Sequence, residues 1–150
     1  MNYGYDWYPV VLNVIARYPK LHRRAMAQAD RQLRSTSPGA QLRRAKPRDV
    51  ANEVLQPLSH AELREYRAVG RTIRAMEKLP FGAQSLAIVE MTDWKCSHNL
   101  WGAAVQLGIG RTQAQDLRAR FVFLAAANLG YRVHPKERWK SWFKPAVRGR

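Results

Sequence analysis

Seven side chains between Arg111 and Arg120 are of types that bond to nucleic-acid bases and phosphates: Arg111, Thr112, Gln113, Gln115, Asp116, Arg118 and Arg120. Arginine can donate two bonds to guanine O6 and N7, glutamine pairs with adenine, and threonine serves a phosphate or a thymine methyl. Asp116 repels phosphate, so it fits either a cytosine N4 or an intramolecular partner such as Arg120, four residues on. A second set is spaced by threes and fours: Arg64, Arg67, Arg71, Arg74 and Lys78. Five cations on one helix face repel one another unless an anion lies alongside. They form either a solvated surface or a phosphate-tracking face. The tail from Tyr131 holds seven Lys/Arg and one Glu among Trp139, Trp142 and Phe143. There, Lys140 and Lys144 are further candidate phosphate contacts. The aromatics either stack on bases or dock on the core.

Composition narrows the partner. Lys+Arg number 26 against 11 Asp+Glu, a formal net charge of +15. Such a field draws polyanions, nucleic acid first and an anionic membrane surface second. Hydrophobic residues make up 46%, too many for a disordered basic tail. A chain of 150 residues can bury one core, or two small ones. The lone cysteine, Cys96, excludes an internal disulfide and suits a reducing cytoplasm. The opening MNYGYDWYPVV lacks a signal-peptide pattern, and no apolar run reaches the ~18–20 residues of a membrane span. A soluble cytoplasmic protein is expected.

Catalysis finds little footing. His22, His60, His98 and His134 lie far apart, and none sits at metal-ligand spacing with Cys or a carboxylate. Cys96 beside His98 reads as a buried thiol near a helix cap, and Asp93 with Glu90 as a surface pair. Neither a glycine-rich phosphate loop nor an acidic magnesium cluster is present in the sequence. No enzyme, metal or cofactor is expected.

The elements that must position the Arg111 set are legible as helices. Asn99 is a good N-cap, and Leu100, Ala103, Ala104 and Leu107 recur at helical spacing. Gly108 stops that helix where a left-handed residue is needed, and Ile109 offers an apolar plug. A second helix opens near Arg111, with Ala114, Leu117 and Phe121 inward. This is the spacing of a helix-turn-helix whose second member lies in a DNA major groove. Upstream, Asp6 caps a first helix with Trp7, Val10, Val11, Val14, Ile15 and Tyr18 apolar. Pro19 should break or kink it. A helix resumes over 20–33, followed by a flexible basic linker containing STSPGAQLRRAKPRD. Ser59-His60-Ala61-Glu62 is a capping box for a helix to about Lys78, ended by Pro80 and Gly82. Ser85 opens one more helix before the motif, and Asn128-Leu129-Gly130 closes the last. No strand is expected, so the chain reads as all-α. Its divisions are an N-terminal helical segment (1–34), a basic linker (35–58), a helix-turn-helix domain (59–131) and a basic aromatic tail (132–150).

Several short pieces fall in order along a known pattern: AELREYRAV (61–69), W-K-x-S-H (94–98), the G-A-A of the first motif helix and the closing L-G-Y (129–131). With DWYPVVLNVIARYPKL near the start, they make most of residues 5–131 resemble the ArpU/RinA-type phage transcription regulators. The resemblance implies a helix-turn-helix similar to region 4 of sigma factors and control of phage or prophage late genes. It implies double-stranded DNA as partner, with host RNA polymerase a further one. By match, base reading falls to Arg111, Thr112, Gln115 and Asp116, with Arg118 and Arg120 nearer the backbone. The chain departs from the group in its more basic helix 60–78 and in the tail beyond Tyr131. Two other readings stay open: a small-terminase-like packaging subunit using the same motif, and a non-specific nucleic-acid-binding protein whose basic stripe and tail do the work.

Overall fold

The computed structural model describes residues 4–35 and 56–143, and every regular element among them is helical. The protein is all-α. Helix α1 (Tyr8–Ser35) starts two residues beyond Asp6 and runs unbroken through Pro19, contrary to the expected break. Proline has no N–H, so the carbonyl of Ile15, four residues back, loses its usual helical donor. The indole Nε1 of Trp94 donates to that carbonyl at 2.8 Å. The same indole lies against Tyr18, which stacks on Tyr66. A distant tryptophan thus supplies what the proline removes.

Most of the linker lies outside the described residues. Helix α2 (His60–Met76) opens with the expected capping box. Ser59 Oγ accepts from the Glu62 amide at 3.1 Å, and the Ser59 amide donates back to Glu62 Oε1 at 3.0 Å. Helix α3 (Gly82–Val89) begins three residues before Ser85, after Phe81 in a left-handed conformation. A Cβ on residue 82 would come within 1.6 Å of the Met76 carbonyl oxygen, so only glycine fits there. Ser85, expected as a cap, is instead buried and donates to the Leu117 carbonyl at 2.8 Å. Periodicity alone did not foresee the π-helical turn Glu90–Trp94 that follows and carries the Trp94 indole to α1.

Helices α4 (Leu100–Leu107) and α5 (Arg111–Asn128) complete the fold. One hydrophobic cluster runs through Val11, Val14 and Ile15 of α1, Val69 and Met76 of α2, Ile88 and Val89 of α3, Ala104 of α4 and the inner face of α5. The N-terminal segment and the tail therefore share a core with the middle of the chain. Trp139 is 0% exposed and stacks edge-on to Phe123. Of the two readings of the tail aromatics, docking holds for Trp139, Trp142 and Phe143, all buried. No helix among the described residues is long and apolar enough to cross a membrane.

Candidate nucleic-acid interface

The corner forms as its sequence dictates. Asn99 Oδ1 accepts from the Gly102 amide at 2.8 Å and starts α4. Gly108 ends it at φ 69°, where a side chain would strain the backbone. The Ile109 amide then donates to the Ala104 carbonyl at 3.0 Å, closing the turn. Small Ala103 and Ala104 are buried, as are Ala114 and Leu117 of α5, so the two helices meet through short side chains.

Helix α5 is divided along its length. Arg111, Thr112 and Gln113 are exposed, and Gln115 is half-buried at the edge of that open turn. Gly110 occupies the N-cap without a side-chain cap. The first-turn N–H groups of a helix have no partners within it, so this end favours an anion. The Arg111 guanidinium lies 5.4 Å from the centre of the Trp101 ring. Trp101 is 58% exposed and Val105, one turn on, 68%. Aromatic and aliphatic surface thus flanks the open turn, and such surface can contact sugars or thymine methyls.

From Asp116 onward the polar residues turn inward, which corrects the outward set. Asp116 is only 13% exposed and bonds three groups. Arg120 Nε reaches it at 2.9 Å, Arg138 Nη2 at 2.6 Å and the Trp139 indole at 2.9 Å. Burial pushes the Asp116 carboxyl up, but bonds from Arg138 and Trp139 and the charge of Arg120 outweigh it and hold it below the ordinary aspartate value. Of the two roles open to Asp116, the intramolecular one is realised. The Arg120 guanidinium also covers the Trp142 ring at 4.8 Å. Arg118 pairs with Asp93 at 2.6 Å. That corrects the expected Asp93–Glu90 pair, since Glu90 bonds Lys95 instead. Arg120 was legible four residues from Asp116, but local spacing carried no sign of Arg138, Trp139 or Asp93, which lie 22 to 25 residues from the groups they bond.

The basic face of α2 is placed as expected, with Arg64, Arg67, Arg71 and Arg74 exposed, and Lys78 is exposed in the turn just after the helix, which ends at Met76. Arg71 has an additional task, donating to the Asn128 carbonyl at the end of α5 at 2.9 Å. Lys140 pairs with Glu137 at 2.7 Å, and Lys144 lies outside the described residues. Cys96 is exposed rather than buried, at a positive φ of 51°. His22 shares a hydrogen bond with the Tyr66 hydroxyl and His98 with Ser97. Among the described residues no three His, Cys, Asp or Glu side chains gather as a metal site would require.

Helices α4 and α5 thus meet at a tight turn held by Gly108, and α5 opens with an exposed first turn that has no side-chain cap. Comparison with family models, with curated proteins and with solved structures finds no match.

Proposed function

We propose that the protein binds double-stranded DNA sequence-specifically and regulates transcription, reading the major groove with the first turn of α5. The observation that carries this is the exposure of Arg111, Thr112 and Gln113 on an uncapped helix start, beside a turn held by Gly108. The readers reduce to Arg111, Thr112 and Gln113, with Gln115 at their edge. Asp116, Arg118 and Arg120 act behind them, fixing α5 to the body. Side chains on a helix so anchored meet a groove with little freedom to lose, which favours specificity. The net charge of +15 supports a polyanionic partner. Phage or prophage late genes as targets and host RNA polymerase as a further partner rest on the resemblance to the ArpU/RinA-type regulators, and a cytoplasmic site of action on the lone Cys96.

Selection of bound duplexes from a random library by the full chain tests the reading. A recurrent motif is expected, and Arg111→Ala should weaken binding to it by about 1–3 kcal/mol while binding to random duplex changes far less. Selection that returns no preferred sequence would overturn it.

A further inference from the structure

The outward face of α2 takes no part in the core, yet it concentrates charge of one sign. Arg64, Arg67, Arg71, Arg74 and Lys78 are all exposed. The two glutamates of α2 are held by α1 instead: Glu62 by Arg24 at 2.6 Å, and Glu65 by Arg17 at 3.1 Å. Glu77, which follows them in the sequence, is exposed. Among the described residues no carboxylate pairs with Arg64, Arg67, Arg74 or Lys78. Arg71 has a structural bond, to the Asn128 carbonyl. Like charges at this spacing cost stability rather than adding it.

The face is also remote from the corner. Arg71 reaches the last residue of α5, whereas Arg111 is the first. At 1.5 Å per residue these ends stand about 25 Å apart. From Arg64 to Arg74 the cations span about 15 Å, a length over which duplex DNA presents several phosphates on each strand.

We propose that this face of α2 binds the phosphate backbone of double-stranded DNA, as a second contact separate from the first turn of α5. The choice of DNA as the polyanion rests on the reading above; the charge and its placement do not. The second stretch of backbone belongs either to a distal part of the same duplex or to a second one.

The test is a full-chain variant with Arg64→Gln, Arg67→Gln, Arg74→Gln and Lys78→Gln, leaving Arg71 in place because it bonds α5. Binding to random-sequence duplexes of 12 and 30 base pairs is measured by fluorescence anisotropy across a salt series. The variant should melt no lower than the parent. Its slope of log K against log salt should be shallower by about 2 to 4, since each phosphate contact contributes about 0.9. Arg67→Gln alone should shift the slope by about 0.9 and serves if the fourfold change disturbs folding. A difference with one duplex bound per chain assigns both contacts to one molecule. A difference that persists at 12 base pairs, with two duplexes bound per chain, assigns them to two. A parent that binds with an unchanged slope in the variants overturns the proposal and leaves the α5 reading standing. A slope change without sequence preference does the reverse. A parent that binds no duplex sinks both.

Discussion

The first turn of α5 and the turns that follow it carry the same kinds of residue and meet opposite fates. Arg111, Thr112 and Gln113 stand open, whereas Asp116, Arg118 and Arg120 are tied to the tail and to Asp93. Beyond them Phe121, Val122 and Phe123 are buried at the centre of the core. One helix is thus a surface at its start and a central strut for the rest of its length. The lesson is that polar residues on an outer face cannot all be counted as readers. Some are needed to fasten the helix that carries the others.

The sharpest contrast in stability lies between the ends of this division. Phe123→Ala removes a ring packed against Tyr5, Trp7 and Trp139, and should cost about 3–5 kcal/mol in chemical denaturation. Thr112→Ala and Gln113→Ala, on the open turn, should stay within about 0.5 kcal/mol. A large cost at position 112 or 113 would show the first turn to be structural, and the division would fail.

Asp116→Ala probes the boundary. It leaves Arg120, Arg138 and the Trp139 indole without their shared acceptor. Hydrogen bonds to charged groups contribute about 1.5–3 kcal/mol, and a loss of about 2–3 kcal/mol is expected. Protease cleavage after Arg138 should also quicken as the tail loosens. If the variant were as stable as the parent but lost DNA sequence preference, Asp116 would belong with the readers after all.

Two tryptophans repeat the contrast. Trp101 is exposed beside Arg111, while Trp94 donates to the Ile15 carbonyl that Pro19 leaves without a donor. Trp94→Phe keeps a ring for Tyr18 but orphans that carbonyl, at an expected cost of about 1–3 kcal/mol. In a Pro19→Ala background the restored N–H of residue 19 can serve Ile15, and the cost of Trp94→Phe should fall by at least about 0.5 kcal/mol. Equal costs in both backgrounds would refute the compensation.

Local signals made much of this fold legible. Ser59 and Glu62, Asn99, and Gly108 each marked a helix end where the structure has one, because caps and left-handed glycines act on the nearest few residues. The Arg111 turn and the basic face of α2 were legible because helical periodicity sorts inside from outside. What stayed hidden depends on partners far along the chain. Nothing near Pro19 announced Trp94, and nothing near Asp116 announced Arg138. The continuity of α1, the inward turn of Arg118 and Arg120 and the docking of the tail are all contacts of that kind.

Acid offers the gentlest way to separate the two parts of α5. The Asp116 carboxyl sits below its ordinary value of 3.8, so the unfolded chain takes up its proton first as pH falls. Its contribution is complete from about one pH unit above that ordinary value, and it is lost as pH falls from there through the folded value. Glu62, held by Arg24 and its own cap, is lowered from 4.5 to about 2 and acts in the same direction. Stability should therefore decline on acidification from about pH 4.5 toward 2, and less steeply in Glu62→Gln or Asp116→Asn. The open turn contains no acid, so acid acts on the anchoring of α5 rather than on its readers. If Asp116→Asn declined with acid as steeply as the parent, the carboxylate would not be what holds Arg138 and the tail in place.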